Sequence, residues 1–146
     1  MTSAQPLVWP MLTCHDARAM MQFLVAVVGF EEEQVIEDAG RIMLAWARLP
    51  GTEHAVMLRE SHPELPAEEA YRAAIPTGPA SIFVRSDDLE EVSRRAENAG
   101  ARIVRPLRGP EGKKVVVIVD PEGNLWRFGN VLPAPPGPDA VRRPVT

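Results

Sequence analysis

The order strand, helix, strand, strand, strand occurs twice in this chain, and that duplication limits what it can fold into more than any other feature. The first helix follows Asp16: Ala17, Met20, Met21, Leu24, Val27 and Val28 recur at helical spacing, and Gly29 closes the run. Asp16 itself suits the N-cap. The second helix starts at Asp87-Asp88 and carries Leu89, Val92, Ala96 and Ala99 on one stripe before Gly100 ends it. Asp88 and Glu91 have capping-box spacing. Asp16 to Gly29 matches Asp88 to Gly100 within one residue. Both helices are amphipathic, so each needs a sheet face to cover.

Strand-like alternation supplies those sheets, at 7–14, 32–37, 41–49, 55–59, 80–85, 103–107, 115–120 and 125–129. In each half the last strand follows a turn rich in proline and glycine, Pro50-Gly51 and then Pro121 to Gly123. The reading is an α+β chain of two βαβββ modules, 1–60 and 78–132. Residues 61–79, with Pro63, Pro66, Pro76 and Pro79, read as a linker with room for a short helix at 67–74. Residues 133–146 form a Pro-rich tail too poor in apolar groups to fold alone.

Composition narrows the function classes. The chain has 146 residues, enough for one domain with a real core, and a net charge of −4, which is not the basic surplus of a nucleic-acid binder. The basic residues between Arg102 and Lys114 alternate with proline, glycine and apolar residues and read as strand edges and loops. Cys14, the single cysteine, cannot form an internal disulfide. The N-terminal MTSAQPLVW has neither region of a signal peptide, and no apolar run nears the ~20 residues of a membrane span. A cytoplasmic location is the expectation, with no nucleic-acid or membrane partner.

Alternation then sorts side chains by face. Leu12 and Cys14 oppose Trp9, Met11 and Thr13; Val56 and Leu58 oppose Met57 and Arg59. Ile82 and Val84 oppose Ser81, Phe83 and Arg85; Trp126 and Phe128 oppose Leu125 and Arg127. One face of each pair is almost purely apolar and suits burial under a helix. The other mixes large apolar groups with Ser, Thr and Arg, as the wall of a ligand pocket does. Trp46 shares alternation with Ile42 and Leu44 and reads as core, as does Trp126. His15, His54 and His62 have no common spacing that would gather them at a metal, and Cys14, on the apolar face, reads as inert.

The paired modules, with "DARAMMQFLVAVVGF", "SDDLEEVSRRAENAGARIVRP" and "DPEGNLWRFG", resemble the glyoxalase/bleomycin-resistance proteins of the vicinal oxygen chelate superfamily over residues 7–130. The resemblance implies an eight-stranded half-barrel around a ligand cleft, in a homodimer. It also implies, for metalloenzymes, one metal ligand on the first and last strand of each module. Those four positions fall on Trp9, Met57, Ser81 and Arg127. Arginine has no lone pair to donate, tryptophan is only a hydrogen donor, and a thioether suits soft metals.

The expected function is therefore a metal-free protein of this group, without cofactor, that holds a small organic molecule as drug-sequestering resistance proteins do. Trp9, Met11, Met57 and Phe83 would supply apolar and stacking contact, with Ser81 and Arg127 orienting the guest. Two rivals stay open: a metal-dependent lyase, isomerase or dioxygenase with displaced ligands, and a non-catalytic interaction module. Arg127 is either a solvated strand residue or a cleft residue, and register favours the cleft. Trp9 is either an anchor or a core side chain. An inward Arg127 asks for an anionic guest, whereas the net negative charge favours a cationic one.

Overall fold

A computed structural model describes residues 8–61, 79–108 and 114–130. In chain order the elements are β1 (Met11–Cys14), α1 (Ala17–Phe23) running on as a π-helical turn (Leu24–Val28), β2 (Glu31–Asp38), β3 (Arg41–Arg48) and β4 (Ala55–Glu60). The second half repeats this with β5 (Ser81–Arg85), α2 (Leu89–Asn98), β6 (Arg102–Arg108), β7 (Val115–Val119) and β8 (Leu125–Gly129). The helix expected at 67–74, His62 and the 133–146 tail lie outside the described residues.

Each half makes one four-stranded sheet, ordered β1-β4-β3-β2 and β5-β8-β7-β6. The pairs β1–β4 and β5–β8 are parallel, and the other neighbours are antiparallel. The first strand begins at Met11 rather than at residue 7, although Met57 N–H still donates to the Pro10 carbonyl at 2.9 Å.

Both helix starts carry the caps expected of them. The Asp16 side chain accepts from Ala19 N–H, and that of Asp88 accepts from Glu91 N–H. The first helix does not stay regular to its end. Beyond Phe23 the turn widens, and the N–H groups of Gly29 and Phe30 both donate to the Leu24 carbonyl. Gly29, at φ 94, takes the left-handed conformation that releases the chain into β2. LVAVV is apolar on every side, so hydrophobic spacing there could not distinguish α from π geometry.

The two halves share one core. Trp126 on β8 is completely buried and packs against Phe23 of α1 (ring centroids 6.0 Å apart) and against Phe30 (6.5 Å). Met20, Leu24, Val27, Leu58, Val92, Ile118 and Phe128 join the same cluster. Arg95 Nε of α2 donates to the Val27 carbonyl at the end of the π turn. The helices thus form a common layer touched by both sheets, and each sheet turns its other face away from that layer.

The "DPEGNLW" segment is a latch between the halves. Asp120, 4% exposed, accepts four hydrogen bonds: Glu122 N–H and Asn124 N–H on Oδ1, Asn124 Nδ2 and Trp126 Nε1 on Oδ2, all at 2.8–2.9 Å. Asn124 Oδ1 in turn accepts from Ala80 N–H ahead of β5. Glu122 reaches the other half, where its carboxylate accepts from the N–H groups of His15 and Asp16 and pairs with His15 Nδ1. Glu60 accepts from Ala17 N–H. Three carboxylates therefore meet the donor-rich start of α1, where the helix dipole also favours negative charge.

Candidate functional site

Strand register places the site residues on the two faces that the helices leave uncovered. On the first sheet, Gln34, Trp46, Met57 and Met11 form one cross-strand row, and Ile36, Leu44, Arg59 and Thr13 the next. Trp9, just ahead of β1, packs on Trp46 with ring centroids 5.8 Å apart and a 59° tilt. Both indoles are half-buried and Met11 is 51% exposed. This is a large apolar surface for a protein to leave in water.

Trp46 was expected in the core beside Ile42, and the structure puts it on this open face instead. The reason is a β-bulge: Ile36 pairs with Leu44 and Glu37 with Ile42, so Met43 has no partner and the alternation reverses. Ile42 then joins Ala45 under the helix, while Leu44 and Trp46 face out. Such a bulge leaves no mark in a run of apolar residues. The cue available was the two small alanines, Ala45 and Ala47, which make room for a helix beneath Trp46's strand.

On the second sheet the corresponding rows are Ser81, Leu125, Val119, and then Phe83, Arg127, Val117, Arg105. Arg127 is exposed on the uncovered face, between Phe83 and Val117, whereas Trp126 and Phe128 are buried on the other side. Arg85 extends the same face one step along β5. Val117 is buried yet lies outside the helix-side core. Arg102 sits at the end of β6 and lines a separate groove of about 490 Å³ on the helical side. Small and apolar residues such as Ala19, Ala26, Val27, Ala99 and Ala101 line that groove, and the carboxylate in its lining, Asp120, is already saturated.

The two faces treat charge differently. On the first, Arg48 is held by Glu33 in a two-point pair at 3.0 and 3.2 Å with only 12% of its side chain exposed. On the second, Arg85, Arg105 and Arg127 make no ion pair or hydrogen bond with another described residue. None of the four positions implied for a metal supplies an imidazole or carboxylate. Among the described residues no group of three His, Cys, Asp or Glu side chains is placed to hold an ion. The donor set Trp9, Met57, Ser81 and Arg127 does not fit a hard divalent cation.

Cys14 lies beneath the latch, on the covered face of β1. Burial, reinforced by the carboxylates of Glu122, Asp120, Glu60 and Asp16, pushes its thiol up to about 12. The residue is a packing group rather than a nucleophile.

Duplicated βαβββ modules, each sheet with one parallel pair at its edge and the helices on one face, define the class of protein. The model of the Glyoxalase/Bleomycin resistance protein/Dioxygenase superfamily matches residues 7–128, and the chain belongs to that superfamily. Among solved structures it is similar to TioX from Micromonospora sp. ML1, at 27% identity over 84% of this chain and 97% of that one, TM-score 0.66. It shares its fold with TnmS3, an antibiotic binding protein from Streptomyces sp. CB03234 (16% identity, 86% and 97% covered, TM-score 0.59). The fosfomycin resistance protein FosX from Mesorhizobium loti has the same fold (12% identity, 88% and 94% covered, TM-score 0.60). No functionally curated protein matches the chain. None of its described helices is long and apolar enough to cross a membrane.

Proposed function

We propose that this protein binds a small organic molecule without metal and without chemistry, in a cleft built from the uncovered sheet faces. The observation that carries the reading is the Trp9–Trp46 pair, left half-open beside Met11 and Met57 on a strand face that none of the described helices covers. Two indoles tilted against each other offer a stacking platform for a flat guest. The superfamily's metal positions hold groups that cannot ligate a hard ion, which favours binding over metal-assisted turnover. TnmS3 is a protein of this fold that binds an antibiotic, which supports the same use of the scaffold here.

The cleft needs a second copy. Within one chain the two sheets share a helical layer and present their open faces away from it, and no described element of that chain closes either face over a guest. In a homodimer the aromatic face of one protomer, with Trp9, Met11 and Met57, would stand opposite the face carrying Ser81, Phe83 and Arg127 of its partner. Sedimentation should then give twice the chain mass.

Fluorescence titration with the neutral aromatic probe N-phenyl-1-naphthylamine tests the site. Saturable binding should fall about tenfold in Trp9→Ala, the equivalent of one lost stacking contact, while the melting curve stays close to that of the parent. Unchanged affinity in Trp9→Ala and Trp46→Ala would remove the site from this face. Stoichiometric, tight uptake of Ni²⁺ or Zn²⁺ would overturn the metal-free reading.

A further inference from the structure

The second sheet's open face has a chemistry more specific than "apolar pocket". Arg127 is flanked across the strands by Phe83 on β5 and Val117 on β7, and Arg105 follows on β6 in the same row. Arg127 and Arg105, two strands apart, have backbones ~10 Å from each other. Arg85 is the diagonal neighbour of Arg127, ~7–8 Å away. Two β-bulges in β6 produce this arrangement. Arg102 pairs with Val119, Arg105 with Val117 and Arg108 with Val115, so three residues of β6 are spanned by two of β7 at each step. Without the shift after Ile103, Val104 and not Arg105 would stand opposite Val117.

Three guanidinium groups on one face repel one another, and each is permanently charged. Ordinary surface arginines are offset by nearby carboxylates, as Arg48 is by Glu33 and Arg18 by Glu37. Here no described Asp or Glu shares the face: the acids of this half lie on the helix (Glu90, Glu91, Glu97), at its start (Asp87, Asp88) or in the latch (Asp120, Glu122). Arg127 also stands on an inner strand, between Phe83 and a buried valine, and not at the rim where an arginine merely meets solvent. The chain is acidic in sum, yet the described residues of this one surface carry positive charge with no carboxylate among them.

We propose that the guest is an organic anion: a flat or aromatic body bearing a carboxylate, sulfonate, phosphonate or phosphate, with the anionic group forked by Arg127 between Arg85 and Arg105 and the body laid on Phe83. Guanidinium geometry matches such oxyanions two bonds at a time. The inference rests on the reading of this face as a ligand site and adds the charge of the ligand. It resolves the conflict in the sequence between an acidic chain and an inward arginine, because the local field at the face, and not the net charge, acts on a bound group.

The test uses two probes with one skeleton, 8-anilinonaphthalene-1-sulfonate and neutral N-phenyl-1-naphthylamine, titrated into the full-length protein at low salt. The sulfonate should bind more tightly by about tenfold or more, as one charge-assisted pair warrants, and the margin should shrink as sodium chloride screens it. Arg127→Gln should abolish the margin by weakening the sulfonate far more than the neutral probe; Arg127→Lys should recover part of it. Arg85→Gln and Arg105→Gln should each reduce it less. Equal affinities of the two probes for the parent protein would overturn the proposal while leaving a neutral-ligand site intact. Equal loss of both probes in Arg127→Gln would do the same. Failure of both probes to bind the parent would remove the ligand site itself, and the proposal with it. If Arg127→Gln instead separates the protomers in sedimentation, the arginines serve the contact between copies and the proposal is wrong.

Discussion

The turn before β4 and the turn before β8 hold the same place in the two halves of the chain. The first, from Leu49 to His54, is closed by Thr52: its N–H and hydroxyl both donate to the Leu49 carbonyl, and its oxygen accepts from His54 N–H. The second is closed by a buried aspartate that binds two backbone donors, an amide side chain and an indole, and its neighbour Glu122 caps the helix of the other half. Both turns have a glycine with positive φ, Gly51 and Gly123. One fold plan has therefore been fitted with a local clasp in one half and a tertiary one in the other. The open faces diverge in the same manner, one aromatic with Arg48 paired to Glu33, the other carrying guanidinium groups that no described residue pairs. Duplication conserves the backbone path, while the polar residues hung on it determine what each half does.

The largest expected effect is at the tertiary clasp. Asp120→Ala would strip partners from Trp126 Nε1 and from Asn124 deep inside the protein, at a cost of about 3–5 kcal/mol. Asp120→Asn should recover only part of this, since an amide cannot accept on both of its polar atoms. Chemical denaturation of both variants measures it, and a cost for Asp120→Ala no larger than for a surface residue would erase the distinction between the turns.

Glu122→Ala comes next, at about 1–2 kcal/mol, because it removes an acceptor for two N–H groups and a negative charge at a helix start. His15, 95% exposed at the side chain, can turn to water, so its own substitution should matter far less. A Glu122→Ala cost equal to that of His15→Ala would show that the imidazole contact, and not the backbone cap, is what the latch contributes.

Cys14 reports on the same corner through pH. Its folded-state value is raised, from 9.0 to about 12, by burial first and then by the latch carboxylates. A group raised in this way stabilises the folded protein fully below pH 9, and that contribution is lost as pH climbs through 12, because only the unfolded chain releases the proton in between. Stability should thus decline between pH 9 and 12 in the parent and decline less in Cys14→Ala. At pH 8 a thiol reagent such as Ellman's should label Cys14 only after unfolding. Prompt labelling of the native protein would contradict the burial of this residue.

How much of this was written plainly in the sequence depends on whether the signal is local. All eight strands and both helices follow from alternation and helical spacing, and the Asp16 and Asp88 caps from residue type beside an amphipathic run. The facing of Arg127 follows from parity within β8, which has no bulge. Parity failed at Met43, where the register slips and carries Trp46 to the open face. It would also fail along β6, where the shift after Ile103 sets Arg105 and not Val104 opposite Val117. The role of Asp120 was hidden for another reason: in sequence it is the first residue of a turn, and its indole partner becomes visible only when Trp126 folds inward. The Trp9–Trp46 pair joins residues from separate strands, so no local pattern contains it.

The smallest effect tests the first turn, and it is the one that decides whether the comparison is real. Thr52→Ala removes one hydroxyl that donates to Leu49 and accepts from His54 N–H, in a turn where Glu53 and His54 are exposed. Water can replace both bonds, and the backbone bonds from Thr52 to Leu49 and from Leu49 to the His54 carbonyl remain. The net cost of such a bond is about 0.5–1 kcal/mol, against several for a buried group left without partners. Gly51 keeps its positive φ in the variant, so the chain path through the turn has no reason to change. The Trp9–Trp46 face, carried by the strands on either side of this turn, should still bind the neutral naphthylamine probe with parent affinity. A loss approaching that of Asp120→Ala would mean that the first turn is also coupled to the core, and that the two halves differ in decoration but not in how they are held.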